Sequence, residues 1–277
     1  MTSPAIPLRR SLPAVRDYGR ELWQRREFAA YMAWGNLKAR NASTALGLVW
    51  WILNPLLLGA IYGLIFGLVL KVSRGTEAYV SYLISGIFVF YYTRAAMVGG
   101  VNSIVSNTRL LANLRFPRLV LPISALIEAG VGFLASLSIF FLISGPVNGV
   151  WPGATIVWLV PALGIHTMFN LGLSAMVARI AVPFRDVNNL VPYVVRLWLY
   201  LSPIIYPVSF LADTSPSLRT VLEANPFFPL LAVYRHALLG SPMSGGDVIS
   251  SLAWAVTTML VGVAVFVRHE GTMTKYL

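Results

Sequence analysis

Two charged side chains, Arg94 and Glu128, stand deep inside long apolar runs, and chemistry would be sought there first. Arg94 falls about midway along the run 80–105, and Glu128 about a third of the way into 119–143. If these runs are antiparallel neighbours, the two groups sit at comparable depth. A charge at that depth is costly in hydrocarbon, so each requires a buried partner or an aqueous cavity. Two readings stay open: a proton or substrate site, and an interhelical salt bridge that fixes packing. One acid supports proton-coupled transport poorly, because such transport commonly uses a relay. Arg196, close to one end of its run, can snorkel to the headgroups.

Other chemistries are absent. His166, His236 and His269 lie far apart, with no His-Glu-x-x-His spacing for zinc. The 10 acids are scattered, with no cluster to hold magnesium, and there is no cysteine for thiol catalysis, disulfides or Cys-ligated zinc. A phosphate-cradling loop ends in Gly-Lys-Ser/Thr. The lysines here follow Leu37, Leu70 and Thr274, which excludes that loop. The sequence therefore assigns no catalytic residue, no metal ligand and no cofactor to this chain.

Of the 277 residues, 57% are hydrophobic and 11% charged, and the mean hydropathy is +0.72. Ordinary globular domains carry about 25% charged residues. A disordered chain, a coiled coil and most soluble enzymes are excluded, leaving an all-α, multi-pass integral membrane protein. A span needs roughly 20 apolar residues. Six segments qualify: 49–70, 80–105, 119–143, 156–180, 190–211 and 248–267. They make a six-helix transmembrane domain over 43–268, followed by a cytoplasmic tail, 269–277.

The formal charge is +11, which in a soluble protein would first suggest nucleic acid. Here the charges are segregated. Residues 1–48 carry eight basic groups and the connections on the same side add seven, making fifteen against four on the other side. That asymmetry predicts both termini in the cytoplasm and no nucleic-acid partner. The first 27 residues contain no apolar h-region, so no cleaved signal peptide is visible. Residues 1–16, with Pro4, Pro7 and Pro13, are expected to be unstructured. Residues 17–42 mix Trp23, Phe28, Tyr31 and Trp34 with cations, which suits an amphipathic helix lying in the membrane interface. The loop 208–247 faces outward. Its apolar part, broken by Pro226 and Pro229, is too short to span, so re-entrant short helices are expected over about 212–243.

Aromatic side chains form faces. Phe88, Tyr91 and Tyr92 share one helical face, as do Tyr193 and Tyr200. Such faces offer a sugar chain apolar surface and hydroxyl groups together, or else pack against neighbouring helices.

Four motifs, in order over residues 37–235, carry a resemblance. They are Leu37-Lys-Ala-Arg40-Asn-Ala-Ser43 with Gly47, Trp50 and Pro55; Asn113-Leu-Arg115-Phe116-Pro117-Arg118; Phe184-Arg185-Asp186-Val187 followed by Tyr200-Leu-Ser202-Pro203-Ile-Ile-Tyr206-Pro207; and Asn225-Pro226-Phe227 with Tyr234-Arg235. Together they resemble the membrane permease subunits of ABC exporters for polysaccharides, the O-antigen, capsule and teichoic-acid type. The sequence departs at Asn41, where those families often carry an aromatic or basic residue.

Each motif has a physical reading beside the analogy. Phe116-Pro117 between Arg115 and Arg118 gives a rigid cytoplasmic elbow with an exposed anchor, suited to docking another protein, which the resemblance implies is the ATPase. Arg185 and Asp186 are placed to pair locally at the membrane surface. Pro203 and Pro207 remove backbone donors and kink or end the helix. The resemblance implies that an outer gate lies near Ser202, Pro203, Tyr206 and Pro207. It also implies a homodimer in the bacterial plasma membrane, in contact with membrane lipids and with two copies of a separate ATPase subunit that binds ATP and Mg. The implied cargo is a lipid-linked glycan; small-molecule exporters of the same architecture are the alternative.

Overall fold

In hydrocarbon, a chain must satisfy its backbone N–H and C=O groups internally, and a helix does so within one segment. The apolar runs form helices accordingly. The computed structural model describes residues 15–41, 44, 46–65, 78–114, 116–206, 208 and 216–275, and among these it contains helices and no strand. Most of the expected unstructured tail, together with Arg115 and Pro207, lies outside the described residues.

In chain order the helices are α1 Val15–Gln24, α2 Arg26–Asn41, α3 Trp50–Tyr62, α4 Tyr79–Val105, α5 Thr108–Asn113 and α6 Val120–Asn148. After a 3₁₀ turn, Ala154–Trp158, come α7 Leu159–Ala181, α8 Val187–Leu201, α9 Pro216–Glu223, α10 Phe227–Leu239 and α11 Gly245–His269, which runs into a last 3₁₀ segment, Glu270–Lys275. Local chemistry sets several ends. Gly149 and Gly240, both at φ 67°, close α6 and α10 in the left-handed conformation that glycine adopts freely. Ser244 opens α11 with a capping box: its hydroxyl accepts from the Asp247 N–H at 3.1 Å, and the Asp247 carboxylate accepts from the Ser244 N–H at 2.8 Å.

Among the described residues, four helical stretches are long and apolar enough to cross a membrane: Tyr79–Val105, Val120–Asn148, Ala154–Ala181 and Gly245–Met273. At about 1.5 Å per residue each is roughly 40 Å long, more than the roughly 30 Å of hydrocarbon. Of the first expected span, 49–70, the described part is helical and residues 66–70 lie outside the described residues; the fifth forms a shorter helix than expected. α3 continues as a π turn to Ile65. α8 stops at Leu201, ten residues before the expected end at 211. The cause is Pro203, which has no N–H to continue the ladder and forces Ser202 into an extended conformation at φ −98°, ψ 148°.

α4 is the centre of the bundle. In its most apolar stretch 72% of the residues are buried, against 17% for α11 at the periphery. α6, α7, α8 and α10 pack around α4, and α11 packs along α7. The expected interface helix is α1 plus α2, nearly continuous, since the Arg25 N–H still donates to the carbonyls of Glu21 and Leu22. Ala29, Ala33 and Leu37 repeat every four residues and bury one face of α2, which lies against α6, while Tyr31 and Trp34 stay exposed.

Glycine sets the closest helix contacts. A Cβ at Gly172 of α7 would fall 2.1 Å from the carbonyl oxygen of Thr258 on α11, and one at Gly262 would fall 2.0 Å from that of Gly172. The two backbones touch, an approach that only small residues permit. On α4, a Cβ at Gly100 would meet Ser174 of α7 at 2.6 Å. Gly172→Ala and Gly262→Ala are expected to lower the thermal-unfolding midpoint of the detergent-solubilised protein, at a cost of roughly 1–3 kcal/mol each. Gly132→Ala, where an added Cβ meets nothing within 4 Å, is expected to leave the midpoint unchanged or raise it.

Candidate functional site

The break after α8 exposes backbone carbonyls, and neighbouring elements supply their donors. The Tyr79 hydroxyl donates to the Ile205 carbonyl at 2.7 Å. The Tyr82 hydroxyl donates to Tyr206 O at 3.2 Å, with Pro203 O at 3.4 Å. Arg235 donates to Pro203 O at 2.8 Å. Asn225 ties the break to the start of α10: its amide N–H group donates to the Leu201 carbonyl and the Ser202 hydroxyl, and its Oδ1 accepts from the Trp198 indole and the Phe227 N–H. Phe227 then fills the bundle beside Phe90, Phe169 and Trp198, with ring centroids 4.8–6.2 Å away. Of the expected gate residues, Ser202 and Pro203 are buried and Tyr206 is half-buried.

A buried polar chain crosses the centre. Thr93 Oγ1 donates to Asn170 Oδ1 at 2.7 Å, so the Thr93 oxygen must accept from His166 Nε2, 2.8 Å away. That proton position leaves His166 Nδ1 to accept from the Tyr234 hydroxyl at 3.2 Å. The bonds run in one direction, from Tyr234 of α10 through His166 of α7 to Thr93 of α4 and back to Asn170 of α7, and all four side chains are buried.

The aromatic residues expected to line a path divide into two groups. Phe88 and Tyr92 are buried; Tyr92 stacks on Phe133 at 4.9 Å and bonds to Thr167. Their fate is packing. Tyr193 and Tyr200 are 68% and 60% exposed on α8, and Tyr91 is half-buried on α4. Arg94 is exposed, its guanidinium 4.9 Å from the centroid of the Tyr91 ring. Among the described residues no ion pair joins Arg94 to Glu128, which is half-buried on α6 and has interactions of its own. The structure thus puts a mid-helix cation on an open, tyrosine-bearing face.

At the opposite end, the Phe116–Arg118 elbow is packed from two sides. Phe116 is half-buried, edge-on to Phe28 of α2 at 5.4 Å, and Pro117 is buried. Phe116 is therefore not the exposed anchor expected from sequence. Its partner, far away in the chain, is invisible to a local reading. The Arg118 N–H donates to the Glu270 carboxylate at 2.7 Å, and the Arg118 guanidinium donates to the Glu270 carbonyl at 2.7 Å. Tyr18 is buried in the same cluster with Leu119, Phe266 and Met273. Burial and the Glu270 carboxylate beside it push the Tyr18 hydroxyl well above its ordinary range. Arg185 and Asp186 stand exposed on the turn into α8, and no ion pair joins them. The Asp186 carboxylate instead stands at the N-terminus of α8, where the helix dipole favours it.

Sequence reasoning missed Thr93, His166, Asn170 and the donor roles of Tyr79, Tyr82 and Asn225. The available signal was polar residues inside apolar runs, with His166 and Asn170 one turn apart on the same helix face.

Residues 29–239 match the family model described as ABC-2 type transporter. The O-antigen export system permease protein RfbA of Myxococcus xanthus is 29% identical over 245 residues, covering 88% of this chain and 92% of its own length. Its namesake from Klebsiella pneumoniae is 25% identical over 232 residues, covering 83% and 87% respectively. With a match that spans most of the bundle, from α2 through α10, the chain belongs to the ABC-2 type transporter family and is a multi-pass membrane subunit of that kind.

Proposed function

We propose that this chain is the permease half of an ATP-driven exporter that moves a lipid-linked cell-envelope polysaccharide out of the cytoplasm. In this reading α3 and α8 complete a six-span bundle with both termini cytoplasmic, and α9 and α10 form a re-entrant pair at the outer surface. Two copies assemble with two separate ATPase subunits, which hold ATP and magnesium. The relatives named above are O-antigen export permeases, and the segregated basic residues favour this orientation.

One observation carries the proposal: Arg94, midway along α4, is exposed on the surface of a single copy. Lipid does not tolerate a charge there, so that face belongs against water or a second chain. Tyr91, Tyr193 and Tyr200 bring ring faces and hydroxyls to the exposed side of α4 and α8. A path between two copies lined this way gives a sugar chain stacking surfaces and hydrogen bonds, while the packed interior of one bundle leaves it no room. On the cytoplasmic side, an open groove of about 570 Å³ borders α5, lined among others by Asn107, Thr108, Arg109 and Asn113, and offers the ATPase a seat. Motion there reaches α2 through Phe28 and Phe116, and α11 through Arg118 and Glu270.

The test is copurification with an ATPase encoded beside it, followed by an ATPase assay in proteoliposomes with lipid-linked glycan. Association and glycan-stimulated hydrolysis are expected. Stimulation by small hydrophobic drugs, with none by glycan, would move the reading to a small-molecule exporter. The double variant Phe116→Ala/Pro117→Ala is expected to insert normally and retain basal hydrolysis, while glycan export falls at least about tenfold. Unchanged export in that variant would count against the elbow as the coupling element.

A further inference from the structure

Arg235 is 4% exposed, and among the described residues no carboxylate forms an ion pair with it. Its guanidinium lies 3.4 Å from the centroid of the Tyr82 ring and donates to the Pro203 carbonyl, while its Nε is buried without a hydrogen bond. A buried cation held by a ring face and one carbonyl is a specific arrangement, and the fold makes room for it. A Cβ at Gly86, one turn beyond Tyr82 on α4, would lie 3.1 Å from the Arg235 nitrogen and 3.2 Å from the Ile204 side chain.

The contacts converge on one short segment. The break after α8 frees the carbonyls of Pro203, Ile205 and Tyr206, and each accepts from a side chain outside the segment. Arg235 comes from α10, and Tyr79 and Tyr82 come from the outer end of α4, their rings 6.4 Å apart and nearly parallel. α10 does not depend on this clamp for its own position, because the adjacent Tyr234 bonds to His166 at the bundle centre. Losing Arg235 therefore loosens the stretch beyond Ser202, which Asn225 still ties, and leaves α10 in place.

We propose that Arg235, clamped on Tyr82 and acting with Tyr79, is the latch that holds the Ser202–Tyr206 segment closed against α4. Arg235 is a positioning residue for the outer gate, so the inference rests on the reading that the gate lies at this segment. Opening exchanges the three protein donors for water, which enters as the segment lifts. Arg235 then has water to solvate it, so the cation is poorly solvated only in the closed arrangement.

The chain has no cysteine, so a thiol introduced at the fully buried Ile204 is the sole one. Full-length Ile204→Cys protein in proteoliposomes, with neither ATP nor glycan, is labelled by a membrane-impermeant maleimide. Adding Arg235→Met is expected to raise the labelling rate at least about tenfold, and Arg235→Lys, which restores a cation and a donor, to bring it most of the way back. Purely static packing predicts no such rescue. A folded, monodisperse Arg235→Met protein labelled within about twofold of its parent would overturn the latch. If that variant does not fold, Tyr79→Phe/Tyr82→Phe, which keeps both rings and removes both hydroxyl donors, carries the test under the same criteria. The labelling requires neither ATPase nor cargo. Failure of the export reading leaves its outcome standing, and normal export with unchanged labelling overturns the latch alone.

Discussion

Backbone carbonyls freed inside a packed helix bundle must find donors within the protein, and the end of this molecule where α8, α10 and the start of α4 meet is organised around that constraint. Pro203 ends α8 and leaves carbonyls without ladder partners. Asn225, Tyr79, Tyr82 and Arg235 answer them from three other parts of the chain. The arrangement draws the start of α10 against the end of α8 and both against α4. Without the break there would be nothing for these donors to bind, and without the donors the break would be an unsatisfied defect. The two features are one structural device.

The same logic holds deeper in the bundle. His166, Asn170 and Thr93 would be expensive singly in an apolar interior, yet together with Tyr234 they form a directional chain of hydrogen bonds. The chain joins three helices at points where apolar packing alone would permit sliding. Glycine contacts between α7 and α11 fix a second register, this time by shape. α4 is packed by α6, α7, α8 and α10, which is why it is the most enclosed of the long helices.

Apolar run lengths made the four long helices legible, because hydropathy over some 20 residues is a strong signal. The end of α8 was half legible. Its prolines announced a kink or stop, while apolar residues continuing to Leu211 extended the expected span beyond it. Hydropathy averages side chains and does not register a missing N–H. Partnerships between distant segments left no local trace: Phe28 with Phe116, Glu270 with Arg118, and Arg235 with Tyr82. Arg235 illustrates the limit well. Counted by position it is one more cation in an outward loop, and only the fold reveals it buried against a ring.

The distribution of rigid and open surfaces constrains how such a chain can work. α4 carries tyrosine donors to the break at its N-terminal end, Thr93 to the central chain, and Gly100 to the close approach of α7. A helix so held moves as a body with its neighbours. Its exposed side, with Arg94 over Tyr91, is adjacent to α8, whose Tyr193 and Tyr200 remain open. Displacing the Phe116–Arg118 elbow would therefore tilt packed helices more readily than it would open a passage through the bundle. Such a tilt carries the open face along by rigid motion alone, and the hydrogen-bonded core stays intact throughout.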